Sequence, residues 1–456
     1  MATTTLPAGP KGHFLLGNYP QLRRDPLGFL TDCARRYGDF VPIRIGPCPG
    51  FIINHPDFIE YVLLTNSKNF IKGPALQRAR FLFGNGLVAS EGEFWRRQRR
   101  LIAPAFHRDR IAAYAEVLVG YADRMLDTWA EGETRDVHAE LMRLTLEIVA
   151  KALFDADVAD DAPEVGEALT EVLYAFGPGS ATAILLPEWI PLPSRVRARR
   201  ATARLDRVIY RIIDERRAAG GERGDLLSML LAARDDADSG MTDKQLRDEA
   251  MTLFLAGHET TAIALSWAFY LLSQRPEVEA LLVAELAEAL GGRPATIADL
   301  PNLPYLEAVV WEALRLYPPA YAVGRQAIGE CEIGGYRVPA GAAVTASQWV
   351  MHRDPRYFER PEEFHPERWL DGLAKRLPKF AYFPFGGGPR ICIGNQFALA
   401  EARLVLATVL RRFRLTLAPG QTVVPEPAIT LRPRQGMRMS LHRRPAEEMR
   451  PEQRAA

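Results

Sequence analysis

One stretch of the chain carries a metal ligand in a setting suited to it: Phe385-Gly386-Gly387-Gly388-Pro389-Arg390-Ile391-Cys392-Ile393-Gly394. A thiolate is a strong soft ligand, but it must be kept deprotonated and shielded. The apolar helical stretch that follows, Asn395 to Phe413, offers its N-terminus, where free N–H groups and the positive dipole end favour the anion. The glycines let backbone amides approach the sulfur and let a flat cofactor lie close to the chain. Arg390 is placed to pair with a carboxylate on that cofactor. One axial cysteine holding haem iron fits this design, and an inert buried thiol beside a glycine turn is the plainer alternative.

Three other constellations bear on the same chemistry. On a predicted helix from Glu91 to Phe106, Trp95 and Arg99 stand four apart and share a face, within an arginine-rich surface of Arg96, Arg97 and Arg100. The longest helical pattern, Thr242 to Arg275, contains Ala256-Gly257-His258-Glu259-Thr260-Thr261 at its middle. Gly257 alone costs such a helix roughly 1 kcal/mol. A local penalty inside a long buried helix points to function; the other reading of Thr260 is a hydroxyl that back-bonds to a carbonyl and bends the helix. Glu312 and Arg315 lie three apart on a predicted helix, Pro304 to Leu316, and Pro366-Glu367-Arg368-Trp369 follows downstream.

Taken together, these residues resemble the cytochrome P-450 monooxygenases. The loop fills Phe-x-x-Gly-x-Arg-x-Cys-x-Gly, the long helix fills Ala/Gly-Gly-x-Asp/Glu-Thr-Thr, and Trp-x-x-x-Arg, Glu-x-x-Arg and Pro-Glu-Arg occur in the family order, across 7–441. The resemblance implies a mainly α fold with a minor β portion, in which haem b lies between the long helix and the Cys392 loop. It makes Cys392 the axial ligand and Phe385 and Arg390 part of the haem-binding loop. Trp95, Arg99 and Arg325 become propionate contacts. Thr260 becomes the hydroxyl that serves iron-bound O2, Glu259 part of the proton supply, and Ala256 and Gly257 the room for O2 beside the haem. Glu312, Arg315 and Arg368 form a buried structural triad, with Trp369 where other members often have Phe. His258 is a variable position, not a ligand.

The activity so implied is monooxygenation of an apolar small molecule, such as a fatty acid, terpenoid or other secondary metabolite. Its electrons come from NAD(P)H through a ferredoxin or flavodoxin and its reductase, docking on the basic face. The rival readings are a peroxygenase or isomerase on the same fold, and a non-catalytic haem- or lipid-binding protein. The acid–threonine pair counts against the first and the intact oxygen-activation residues against the second. The pocket positions, 76–88, Leu253, Phe254 and 320–323, are mainly apolar, with Arg78 and Arg80 as carboxylate anchors.

The elements that must position these groups are legible in outline. A helix over 26–38 is followed by strands 40–45 and 51–53 around the turn 46–50, then a short helix, 56–65. The segment 72–90 reads as a loop. Amphipathic helices fill 113–156 and 161–218, broken at 177–179 and at the apolar, proline-broken 184–193, which reads as a lid, a membrane-touching patch or a buried connection. Another helix spans 277–290, strands fill 325–350, and short strands at 414–417 and 428–431 precede a polar tail from 442 expected to be disordered. The 456 residues are 48% hydrophobic and 25% charged, with net charge +1, which gives no footprint for nucleic acid. Cys33, Cys48, Cys331 and Cys392 are scattered, so the expectation is a reducing cytoplasm without disulfides or a zinc site. No transmembrane anchor is expected, and a monomer is.

Overall fold

The longest helix sets the layout. Gln245 N donates to Thr242 Oγ1 at 3.2 Å while Thr242 N donates to Gln245 Oε1 at 2.8 Å, a reciprocal capping box that starts the helix. The helix then runs Asp243–Gln274 and stops before Pro276, which opens the next helix, Pro276–Leu290. At 1.5 Å per residue it is about 48 Å long. In this computed structural model, which describes residues 6–176, 190, 192–221, 225–232 and 240–449, the central helix packs most extensively against four others. They are Val137–Phe154, Pro193–Ala219, Pro304–Leu316 and Asn395–Arg412. Being packed from several sides, it is apolar on most of its faces.

The fold is mainly α, with a minor β portion divided among small sheets. A five-stranded sheet has the order Phe40–Ile45, Cys48–Ile53, Ala343–Ala346, Val323–Ala327, Phe70–Lys72. The second and third of these pair in parallel and the rest antiparallel. A three-stranded sheet joins Thr134–Asp136, Arg438–Arg443 and Phe413–Leu417, and Pro425–Pro427 pairs with Leu431–Pro433. Among the described residues no helix is long and apolar enough to cross a membrane.

Several expectations are corrected. The segment 72–90 is not plain loop: Pro74–Arg78 and Arg80–Phe83 are short helices held by their contacts with the rest of the fold. The turn 46–50 shrinks to Gly46 and Pro47, because Ile45 pairs directly with Cys48. Phe413 begins a strand instead of ending a helix, and 428–430 is the turn between two strands, not a strand. The polar tail is ordered as far as Met449, where Ala446–Met449 makes a 3-10 turn. Met449 is buried and Arg444 is paired with Glu279, so one apolar side chain and one ion pair hold what composition marked as free. The breaks at 177–179 and nearly all of 184–193 lie outside the described residues.

Candidate functional site

The loop 385–394 is closed by its own backbone. Cys392 N donates to the Phe385 carbonyl at 3.0 Å, and Gly386 N to Phe383 O at 2.9 Å. A Cβ on Gly387 would stand 2.1 Å from the Phe380 ring, and one on Gly388, whose φ is +64°, would stand 1.8 Å from the Leu63 carbonyl. These two glycines therefore seat the loop against its neighbours, a stricter demand than approach to a cofactor. Cys392 keeps accessible surface although the fold encloses it on most sides. Burial pushes its thiol up, opposed by the Gly394 N–H and the Arg99 charge. The helix N-terminus does not outweigh burial here; a metal cation bound at the sulfur would favour the thiolate.

Beside the loop, Lys72, Arg99, Arg325 and Arg390 lie within one another's fields, with Glu91 as the carboxylate among them. Lys72 and Arg325 are opposite each other across the Phe70–Lys72 and Val323–Ala327 strands, each only 8% exposed. Like charges so placed repel. Burial, then Arg325 and Arg390, pushes Lys72 down to about 7; burial, then Arg390, pushes Arg325 down to about 10. Glu91 is already engaged: it accepts from the Lys72 backbone N–H at 2.6 Å and pairs with Arg390. Arg390 also donates to Ser90 O at 3.1 Å and lies 4.3 Å over the Trp95 ring. The expectation for Arg390 is thereby amended, since it clamps the Trp95 helix (Gly92–Ile102) to the loop. Buried Lys72 and Arg325, with the partly buried Arg99, are left as positive charge in excess, which two carboxylates would neutralise. That donor set, beside an accessible thiol, fits haem with its two propionates. Lys72 escapes sequence reasoning because a lone lysine ending Phe-Ile-Lys has no motif.

On the central helix, Leu253, Ala256 and Thr260 share one stripe. Ala256 is exposed and Thr260 partly so, while His258 and Glu259 are buried. Thr260 Oγ1 donates to Ala256 O at 2.7 Å, so the back-bond is present and the hydroxyl's lone pairs remain to accept. Gly257 serves packing: a Cβ there would stand 2.9 Å from Val149 of the neighbouring helix, so on the exposed side of the helix it is Ala256 that keeps the stripe small. Phe254 packs against Phe154, ring centroids 6.2 Å apart. Glu259 turns the other way, where its Oε1 accepts from Thr430 Oγ1 at 2.8 Å, and burial pushes its carboxyl up. The helix after the cysteine meets the central helix at Glu401, wholly buried beside Thr261 and pushed up by burial to about 8.

The wall at 82–87 is tied to the same helix. Arg247 donates to Leu82 O at 2.8 Å, Asn85 N to Asp248 Oδ2 at 2.8 Å, and Leu87 N to Glu249 Oε2 at 2.8 Å. Arg80 is spent on Ala89 O at 3.2 Å instead of standing free for a carboxylate, and Arg78 is exposed.

Glu312 collects five donors. Arg315 Nε and Nη2 reach it at 2.9 and 2.8 Å, Arg368 Nε at 3.0 Å, Trp369 Nε1 at 2.8 Å and His365 N at 3.0 Å. The three triad residues meet as expected, and Trp369 joins them through an indole N–H that phenylalanine lacks. Trp369→Phe should cost about 1–3 kcal/mol, the range for a bond to a charged group whose partner stays buried. Urea unfolding of the two proteins tests this, and equal midpoints would refute it.

The protein-family model for Cytochrome P450 matches residues 7–439. Among curated proteins, the chain is 41% identical to "Cyclooctatin synthase" of Streptomyces melanosporofaciens, over 92% of each chain. It is 39% identical to "Cyclooctat-9-en-7-ol 5-monooxygenase" of the same organism, over 90% of this chain and 89% of that one. It is 35% identical to "Pentalenene oxygenase" of Streptomyces avermitilis, over 90% and 91%. Among solved structures, a retinoic acid-bound cyanobacterial CYP120A1 superposes with a TM-score of 0.85 at 28% identity, covering 96% of this chain and 99% of that one.

Proposed function

The chain belongs to the cytochrome P450 family and is a monooxygenase of it, and from that premise we propose that it oxygenates a cyclic terpenoid, by hydroxylation or epoxidation. The observation that carries the reading is the pairing of an accessible Cys392 with buried cationic excess beside it. The names of its relatives, which speak of cyclooctatin and pentalenene, support the terpenoid class. The mainly apolar stripe of Leu253 and Ala256 suits a hydrocarbon skeleton.

Cys392 would hold the iron of haem b, and Lys72, Arg99, Arg325 and the Trp95 indole would hold its propionates. When bound, haem supplies O2 activation with two electrons from outside the chain. The protein's own part is orientation and proton handling. Thr260, its hydroxyl already directed by Ala256 O, accepts and passes protons at the pocket wall. Glu259, a buried acid one residue away, is the proton source behind it. The tied 82–87 wall shields the site from water, as a reaction that leaks protons or reduced oxygen requires.

Electrons arrive from NAD(P)H through a ferredoxin or flavodoxin and its reductase. Arg96 and Arg100 are exposed on the outer turns of the Trp95 helix and offer an acidic partner its docking surface. Reversing both to glutamate should slow the first electron transfer about tenfold at low salt, with the difference shrinking as salt rises. Stopped-flow reduction measures it, and an unchanged rate at low salt would remove this face from the docking surface.

The function itself is tested by incubating the purified holoenzyme, ferredoxin, reductase and NADPH with a panel of cyclic terpenes under 18O2. One labelled oxygen atom per product is expected. Turnover with peroxide but not with NADPH, or fatty acids oxidised while terpenes are ignored, would replace the reading.

A further inference from the structure

The acid behind Thr260 has a partner that no motif names. Adjacent helical residues point about 100° apart, so Glu259 and Thr260 cannot face the same way. Thr260 is on the open stripe; Glu259, 9% exposed, faces the turn between Pro425–Pro427 and Leu431–Pro433. There Thr430, 6% exposed, donates from Oγ1 to Glu259 Oε1 at 2.8 Å.

The turn is held on every side. Trp267 Nε1, from the central helix itself, donates to Leu431 O at 2.8 Å, and Leu431 N to Pro319 O at 2.9 Å. Tyr321 OH donates to Ala428 O, and Ala428 N to Thr430 O, both at 3.0 Å. A hydroxyl fixed this firmly selects one rotamer of the acid it binds. The charged neighbour is Arg432, which opposes the effect of burial on Glu259 and is itself bonded to Glu426 at 3.0 Å. His138, near Arg432, and His258 are pushed down by burial to about 4 and about 3, so both are neutral at neutral pH.

We propose that Thr430 is a positioning residue for proton supply: it holds the Glu259 carboxyl on the sheet side of the central helix, the position from which the acid turns toward Thr260 and to which it must return to regain a proton. In its protonated form, with Oε1 accepting from Thr430, the carboxyl carries its proton on Oε2. On turning, that O–H bond breaks and the proton passes to the Thr260 side; the carboxylate returns to Thr430 and regains a proton from solvent. Only O–H bonds change, and the electrons come from the redox partner. The proposal rests on the reading of Glu259 and Thr260 as the proton route.

The test compares Thr430→Val, Thr430→Ser and Glu259→Gln holoenzymes. Infrared difference spectra on photolysis of bound CO, in H2O and D2O, report the Glu259 C=O band directly; kcat, KM, the D2O effect on kcat and peroxide leakage report its use. In Thr430→Val the band should move up, as a C=O freed of a hydrogen bond does. Its kcat should fall about tenfold at constant KM, the low end for groups that orient a reacting one. Thr430→Ser should restore both. A Thr430→Val protein with the wild-type band and D2O effect, while Glu259→Gln loses them, overturns the proposal and leaves the proton route standing. If Glu259→Gln is also silent, the proton route itself falls. Should valine prevent haem incorporation, Thr430→Ala removes the same hydroxyl and takes its place under the same criteria.

Discussion

Cys392→Ser is expected to end product formation, with a loss of at least about a thousandfold, equivalent to roughly 4 kcal/mol of barrier. The change is one atom, and the loop has no need of the sulfur for its shape. Its closures are backbone bonds, Cys392 N to Phe385 O at 3.0 Å and Ile391 N to Gly388 O at 3.1 Å, and its fit depends on glycines at 387 and 388. The cationic cluster is untouched, so haem should still bind. What the substitution would remove is the soft anionic ligand that a thiolate offers iron, with the electron density it donates. The reduced, CO-bound spectrum should therefore lose the strongly red-shifted Soret band while near-ultraviolet circular dichroism stays native. A serine variant that keeps the red-shifted band and turnover would place the ligand elsewhere.

Glu312→Ala is expected to destabilise the fold by about 3–5 kcal/mol, the cost of leaving a buried charge without its partner. Against a total stability of about 5–15 kcal/mol, that is enough to lower soluble yield. Arg315 is fully buried and keeps its bonds to the carbonyls of His352, Pro361 and Glu363, so it cannot swing out to water. Arg368 keeps Glu359 O, and the Trp369 indole N–H loses the Glu312 carboxylate it donates to. Haem content should fall with stability, because Arg315 binds His352 O while His352 Nε2 accepts from Phe383 N, just ahead of the cysteine loop. Glu312→Gln keeps the shape and one acceptor and should lose less. Denaturant unfolding of both proteins decides the matter; an alanine variant within about 1 kcal/mol of wild type would make this network an ordinary ion pair.

The two variants differ in how far sequence reasoning reached. For Cys392 the loop motif named the residue, but not that burial works against its thiolate, since burial is a property of everything that folds around it. For Glu312 the spacing to Arg315 gave one pair, while Trp369 entered as a departure from a family habit and emerged as a donor. The capping box at Thr242 was legible because both partners are three residues apart. In the tail, composition does not register that Met449 is buried and that Arg444 pairs with Glu279.

By itself the sequence determined the residues whose chemistry is local: the cysteine in its glycine loop, the acid–threonine pair on the longest helix, Trp95 and Arg99 on one face, and Glu312 with Arg315. Helical periodicity and glycine's steric freedom act over a few residues, so they leave a readable spacing. Only the tertiary structure set Lys72 opposite Arg325, committed Arg390 to Glu91, turned Gly257 toward Val149, and brought Thr430 to Glu259 across 171 positions of chain. Those pairings are fixed by packing between elements, where no period relates the partners and burial sets the strength of every charge.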